Sequence, residues 1–235
     1  MNNDMDSVLI TGANRGIGLG LVTYYLRKGV SVLATAKNPK KSEALQKLQK
    51  EYDKQLWLFE LDVTNEKSIA NFTKQLKRLG TTISVVINNA GISIEEEFGQ
   101  WTMATFETHF RVNYIGPALV SQAVLPFMGI GAKLIQFSSG MGSLEWNINP
   151  KNGLDAYAAS KCALQSLTIR LAEKLKDKQI TVIALNPGWV RTAMGGPEAT
   201  TGISEAVGNM AQTISQLTLK DTGHFISDTG EPIPW

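Results

Sequence analysis

Residues 8–18 constrain this chain more than any others. Val8-Leu9-Ile10 is a short apolar run that stops at Thr11-Gly12-Ala13-Asn14-Arg15-Gly16-Ile17-Gly18, and an amphipathic stretch through about Lys28 follows. An apolar run without polar alternation reads as a strand buried on both faces, which needs helices on both sides of its sheet. Glycines between a strand and a helix let the backbone approach a ligand. The helix N-terminus behind them offers free N–H groups and the positive end of a dipole. Strand, turn and helix in this order make a phosphate site. A glycine turn alone often only reverses the chain, but this one stands in the context that phosphate binding requires.

The alternation then repeats. Strands are expected over 30–36, 56–61, 83–87, 133–137 and 180–185, with a last one near 224–227. Helices are expected over 40–52, 66–79, 101–127, from Tyr157 onward, and 204–217. The expected fold class is α/β: a single-domain, Rossmann-type doubly wound parallel sheet of about seven strands with helices on both faces. Right-handed crossovers put the carboxyl ends of all strands along one rim. The glycine turn, Asp62, Asn89, Ser139 and Pro187 then share that rim. No repeat, low-complexity segment or domain-sized linker interrupts the chain, so 1–235 is read as one dinucleotide-binding domain, with a substrate loop over about 188–205.

Composition removes several classes of function. The net charge is +2 with no basic block, which gives nucleic acid and membrane surfaces nothing to hold. No apolar run reaches the ~18 residues of a membrane span. The segment 1–6 is polar and acidic, unlike a signal peptide, and Cys162 is the single cysteine, which excludes an internal disulfide. A cytoplasmic protein is expected. Two histidines and one cysteine give no metal site.

The end of the second strand bears on cofactor choice. A domain that prefers NAD places Asp or Glu there for the ribose 2′-hydroxyl. Here the place holds Ala36-Lys37, so no acid repels a 2′-phosphate and a cation is present to meet one; Arg15 is a second cation. NADP(H) is therefore expected, although Lys37 could also be a solvated loop lysine. Asp62-Val63 follows the third strand, where Asp62 could accept from an adenine amine or cap the next helix; Thr64 or Asn65 is better placed for capping. The fourth strand ends in Asn88-Asn89-Ala90-Gly91, small and polar where a buried strand meets a ligand. Glu95-Glu96-Glu97 reads as a solvated charge run.

Proton chemistry is concentrated at 157–161. Tyr157 and Lys161 lie one helical turn apart on one face, and Leu164, Leu167, Leu171 and Leu175 continue the helix. An ammonium beside a phenol favours the phenolate, so a lowered Tyr157 pKa is expected; an isolated pair of this kind is more often only a surface pair. In the helix over 101–127, Pro117 removes one hydrogen bond and crowds the carbonyl of Asn113. The expected result is a kink that frees a main-chain oxygen beside a buried amide, a place for a water; the alternative is a structural asparagine. The strand over 133–137 delivers Ser138-Ser139, of which only one can face the site. Met141, Leu144, Trp146, Trp189 and Met194 are either an apolar pocket or core. Cys162 reads as a buried small residue, and His109 stands outside these motifs.

Taken together, TGxxxGIG at 11–18, NNAG at 88–91, Asn113, Ser139, YxxxK at 157–161 and Pro187-Gly188 resemble the short-chain dehydrogenase/reductases over nearly the whole chain. The stretch 187–197 and the Pro232-Ile233-Pro234-Trp235 segment resemble a narrower branch, the C-factor and sniffer-type carbonyl reductases. The resemblance implies an NADP(H)-dependent reduction of a small-molecule aldehyde or ketone. Asn113, Ser139, Tyr157 and Lys161 would be its catalytic set, with Ser139 rather than Ser138 binding the carbonyl. It also implies that Gly12, Asn14, Arg15, Gly16, Ile17, Gly18, Lys37, Asp62, Val63, Asn89, Ala90, Gly91, Tyr157, Lys161, Pro187, Gly188, Val190 and Thr192 bind the cofactor, and that the chain could pair as a homodimer. The Ser139–Tyr157 interval is longer than is usual in the family, so the loop over 145–153 is expected to reshape the pocket. A nucleotide-binding signalling module on the same fold, and a lyase, dehydratase or epimerase, are the alternatives.

Overall fold

The computed structural model describes residues 7–235; the acidic segment 1–6, in which no signal peptide was expected, lies outside the described residues. In chain order the elements are β1 (Ser7–Ile10), α1 (Gly16–Arg27), β2 (Ser31–Ala36), α2 (Glu43–Glu51), β3 (Leu56–Glu60), α3 (Glu66–Leu79) and β4 (Ile83–Asn88). They continue as α4 (Met103–Phe110), α5 (Gly116–Val124), β5 (Met128–Phe137), α6 (Asp155–Leu175), β6 (Thr181–Asn186), α7 (Ile203–Gln216) and β7 (Phe225–Ser227). The strands form one seven-stranded sheet in the order β3-β2-β1-β4-β5-β6-β7, every pair parallel. The order reverses between β1 and β4, and ligands of open α/β sheets bind at such a switch point.

The unbroken apolar runs make this a two-sided sheet. Val8 and Ile10 point into a core shared with Leu21 and Leu26 of α1 and Met210 and Ile214 of α7. Leu9, between them, points to the other face, among Phe72 of α3, Val120 of α5 and Val182. Burying side chains of this size stabilises by about 1.5–3 kcal/mol each. Helices covering the sheet start where the sequence caps them. Ser42, Asn65 and Thr102 accept from the amides of Leu45, Ser68 and Thr105 at 3.4, 3.1 and 3.2 Å. Asn65, not Asp62, therefore caps α3.

Two stretches depart from the sequence expectation. The helix expected over 101–127 is divided: α4 ends at Phe110, a π-helical turn spans Arg111–Ile115, and α5 follows. The Gly116 amide reaches back five residues to the Arg111 carbonyl. A widened turn is how a helix accommodates a proline that crowds the carbonyl four residues earlier. β5 also starts at Met128, earlier than expected, because its pairing with β4 shifts register between Ile83 and Val85. Glycine-rich 128–132 carries no strand periodicity to announce this.

Candidate active site

The glycine turn is clamped by the end of β4. Gly12 has φ +65°, and a Cβ there would lie 2.9 Å from the Ala90 Cα. Asn89 Nδ2 donates to the carbonyls of Thr11 and Gly12 at 2.7 and 3.1 Å, and Thr11 Oγ1 accepts from the Ala90 amide at 3.0 Å. Asn88 turns inward instead and donates to Ser121 Oγ and Gln136 Oε1, both at 3.0 Å. Behind the turn α1 opens at Arg15 with no side-chain cap and no acid in its first turn. Thr192 lies opposite: its methyl is 3.5 Å from where a Cβ on Gly16 would stand. A left-handed turn cleared of side chains, before an uncapped helix start, fits the pyrophosphate of a dinucleotide.

Lys37 and Asp62, treated separately in the sequence, form an ion pair at 3.1 Å on the same rim. The other Asp62 oxygen accepts from the Thr64 amide at 2.9 Å and the Thr64 hydroxyl at 2.7 Å. Burial opposes ionisation of Asp62. The Thr64 hydrogen bonds and the Lys37 ammonium outweigh it and hold the carboxyl below its ordinary value. Val63 is wedged beneath α5, its Cγ2 2.9 Å from where a Cβ on Gly116 would lie. The Lys37 side chain is 61% exposed, so this pair is a weak surface contact that another anion can compete for.

Tyr157, Lys161 and Gln165 form one ladder on α6, and it grips the end of β5. Lys161 Nζ donates to the Phe137 carbonyl at 2.7 Å. Gln165 Nε2 donates to Ser138 Oγ at 3.0 Å and to the Ser139 carbonyl at 3.2 Å. Ser138 is thereby turned into the protein. Ser139 faces the other way: its hydroxyl accepts from the Met141 amide at 3.2 Å and stands near enough to the Tyr157 phenol to favour its ionised form. Gln165 was missed in the sequence, although it stands one turn beyond Lys161 on the same face.

The electrostatics of Tyr157 run opposite to the sequence expectation. Burial pushes its phenol up, and the Ser139 hydroxyl, which acts downward, does not cancel it. Lys161 lies over the ring, 5.6 Å from its centroid, and its proton donation goes to Phe137 rather than to the phenol. Burial also pulls the Lys161 ammonium down, to about 8. In the unfolded chain the same lysine keeps its proton to about 10.5, so between those pH values the unfolded chain binds more protons and folding stability rises with pH. The cost of the buried cation is whole below pH 8. The cofactor-free protein should gain on the order of 2 kcal/mol between pH 8 and 10, at 1.36 kcal/mol per decade. Above pH 10 the buried Tyr25 and Tyr157, both pushed up, reverse the slope. Urea midpoints across this range check it: a Lys161→Met protein should lose the rise, and an unchanged profile would remove Lys161 as its cause.

Asn113 is fully buried at the π-helical turn. Its Oδ1 accepts from the Ile92 amide at 2.9 Å, and its Nδ2 donates to the Ile92 carbonyl at 2.9 Å and to Ser160 Oγ at 3.0 Å. Ser160 in turn donates to the Tyr157 carbonyl at 2.7 Å. The amide thus ties the loop after β4 to the start of α6. This is the structural role weighed for it in the sequence, and it leaves only main-chain atoms to hold a water. Gly91 lies between: a Cβ there would be 3.3 Å from Asn113 Oδ1 and 3.8 Å from Lys161 Nζ. His109, outside every motif, is buried against Tyr157 with ring centroids 6.4 Å apart. Its Nδ1 donates to the Thr105 carbonyl at 2.8 Å and its Nε2 accepts from the Ile94 amide at 3.0 Å, which assigns the neutral tautomer.

Against known proteins, the profile of the short chain dehydrogenase family matches residues 6–201. The chain belongs to that family. It is 35% identical over 156 residues to the C-signal of Myxococcus xanthus, covering 65% of this chain and 93% of the relative. Among solved structures, the NADPH-bound carbonyl reductase from chicken fatty liver superposes with a TM-score of 0.91 at 34% identity, covering 98% of this chain and 99% of that one. The carbonyl reductase Sniffer of D. melanogaster superposes with a TM-score of 0.92 at 31% identity, covering 98% and 100%.

In this short-chain dehydrogenase, the loops that follow β4, β5 and β6 are each tied down by hydrogen bonds. After β6, Val190 bridges to Thr201, and Arg191 Nη1 donates to the carbonyls of Ala199 and Thr200 at 2.9 and 2.8 Å. Gly188 has φ +79°, which turns the chain sharply after Pro187. Leu144, Trp146, Trp189 and Met194 are all exposed, which excludes the core reading for these four; Met141 is partly buried. In the acidic run 95–97, Glu95 and Glu97 are exposed as expected, and the half-buried Glu96 has partners. It accepts from the Thr102 amide at 2.9 Å and the Thr102 hydroxyl at 3.1 Å, and its own amide donates to the Gly153 carbonyl at 2.8 Å. It therefore fastens the far end of the loop over 145–153. An open groove between α1 and α7, lined by Tyr24, Lys28, Glu205 and Gln212, lies toward the amino ends of the strands, away from these residues. Among the described residues no helix is long and apolar enough to cross a membrane, and no cluster of His, Cys, Asp or Glu is placed to hold a metal ion.

Proposed function

We propose that this chain reduces an aldehyde or ketone with NADPH. The observation that carries the reading is that the Ser139 hydroxyl stands beside the buried Tyr157 phenol, with both residues held by α6. A carbonyl oxygen placed between them would meet a proton donor and a second hydrogen-bond donor at once. The relatives with NADPH bound or named as carbonyl reductases support the same reading.

NADPH, when bound, supplies the hydride that the carbonyl carbon receives. Gly12, Asn14, Arg15, Gly16, Ile17 and Gly18 would hold its pyrophosphate. Lys37 would meet the 2′-phosphate and Asp62-Val63 the adenine. Asn89, Ala90 and Gly91 would line the ribose, and Pro187, Gly188, Val190 and Thr192 the nicotinamide end. Ser139 hydrogen-bonds the substrate oxygen and stabilises the charge that develops there. Tyr157 gives that oxygen its proton. A phenol pushed up by burial is protonated at neutral pH, the state an acid needs at the start of a reduction. Lys161 would hold the nicotinamide ribose, and a water on the main-chain side of Asn113 would be the route by which the proton is replaced.

The first test is NADPH oxidation against a panel of aldehydes, ketones and quinones, with NADH alongside. NADPH is the expected cofactor. Removing the Lys37 ammonium should raise KM for NADPH about tenfold, the worth of one charge-assisted hydrogen bond to phosphate. A Lys37→Ala protein should leave KM for NADH unchanged, since NADH has no 2′-phosphate. Equal effects on both cofactors would assign Lys37 to the Asp62 ion pair alone.

A further inference from the structure

The segment Pro232-Ile233-Pro234-Trp235 takes no part in the chemistry above, yet it is fastened to the loop that separates Ser139 from Tyr157. Ile233 is buried against Phe225 and Ala184, and its amide donates to the Phe225 carbonyl at 2.8 Å. The Trp235 ring stacks on Phe225 with 5.7 Å between centroids and 26° between planes. This anchoring carries the Trp235 main-chain oxygen to the loop. The amides of Leu144 and Glu145 donate to it at 3.0 and 3.3 Å, and the Ser143 hydroxyl donates at 3.3 Å.

Ser143 passes the contact on. Its Oγ also accepts from the Trp146 amide at 3.1 Å, and its carbonyl accepts from the Asn147 amide at 3.2 Å. The Trp146 ring then lies across Gly140, 3.1 Å from where a Cβ would stand, and Gly140 follows Ser139 directly. A continuous path of contacts runs from β7 through Trp235, Ser143 and Trp146 to the residue beside Ser139. Leu144 on this loop is 78% exposed, so burial of its own side chain does little to hold it.

We propose that residues 232–235 are a strap on this loop and that Trp235 is a positioning residue. It fixes Trp146 as an apolar wall beside Ser139 and so selects for carbonyl substrates that carry a large apolar group. The selection rests on the reductase reading; the strap itself does not. A loosened wall costs contact with a large substituent and leaves a small aldehyde nearly unaffected, because the small substrate never reaches the wall.

The test uses Trp235→Ala, Trp235→Phe and Ser143→Ala in the whole chain. Hydrogen exchange of the Leu144 and Glu145 amides should quicken about tenfold in Trp235→Ala, since a lost aromatic stack is worth up to about 1.5 kcal/mol. Exchange in β5 should not change, and Trp235→Phe, which keeps a ring on Phe225, should restore protection. In parallel, KM is measured for the largest and the smallest carbonyl that the wild-type protein reduces. Trp235→Ala and Ser143→Ala should raise KM for the large one about fivefold with little change in kcat, in KM for the small one or in NADPH affinity. Unchanged protection at Leu144 and Glu145 overturns the strap. Faster exchange with equal changes for both substrates overturns its role in selection. A wild-type protein that reduces no carbonyl refutes the reductase reading, and with it the selection, while exchange still decides the strap.

Discussion

A Tyr157→Phe protein should lose about 10²–10⁴ in kcat/KM for every carbonyl substrate while binding NADPH as the wild type does. The substitution removes one hydroxyl and keeps the ring, so contact with His109 survives and no large cavity opens. What disappears is the proton that the substrate oxygen must receive. Steady-state NADPH oxidation measures the loss, and fluorescence titration with NADPH checks that the cofactor still binds. Turnover within about tenfold of the wild type would remove Tyr157 as the acid. A substrate water or another residue would then have to supply the proton.

The second large effect is expected at Gly18. A Cβ there would stand 2.5 Å from the Gly12 carbonyl oxygen and 2.6 Å from Asn89 Nδ2. Neither neighbour can yield cheaply. The Gly12 oxygen belongs to the turn, and Asn89 Nδ2 is held by the carbonyls of Thr11 and Gly12. Gly18→Ala must therefore push the turn away from the end of β4. Overpacking of this kind costs about 1–3 kcal/mol in stability. The shift also moves the backbone that would hold the pyrophosphate, so NADPH affinity should fall by at least about tenfold, equivalent to 1.4 kcal/mol. Gly29→Ala is the control: its φ is positive, +77°, unlike that of Gly18, and a Cβ there meets nothing within 4 Å. It should lose stability from backbone strain but keep its NADPH affinity. Equal affinities in the two variants would show that the contact at Gly18 has no bearing on the cofactor.

Much of the fold was legible because local rules and the tertiary structure agree. The runs at 8–10, 83–87 and 180–185 have no polar alternation, so only a sheet covered on both faces could hold them, and the sheet is covered on both faces. Asn65 and Gly80 bound α3 where capping chemistry puts them. Pro117 announced a distortion centred on Asn113, and a π-helical turn is there. The gathering of the glycine turn, Asp62, Asn89 and Ser139 on one rim followed from parallel strands and right-handed crossovers alone.

Contacts between residues distant in sequence were not legible. Spacing put Tyr157 beside Lys161 and suggested a lowered phenol pKa, but burial reverses the direction, and burial depends on everything packed around the ring. Alternation said that one of Ser138 and Ser139 faces the site; Gln165, reaching across from α6, decided which. Lys37 and Asp62 read as independent until β2 and β3 aligned them. Glu96 looked like a solvated acid because its partners, Thr102 and Gly153, identify themselves only in three dimensions. Propensity, capping and periodicity act over a few residues, so they placed most strands and helices and the residue types that meet on the rim, though not the division of the 101–127 helix or the early start of β5. The state of Tyr157, the direction of Ser139 and the fastening of the 143–148 loop to Trp235 arise from the folded packing, because desolvation and long-range hydrogen bonds come from groups far apart in the chain.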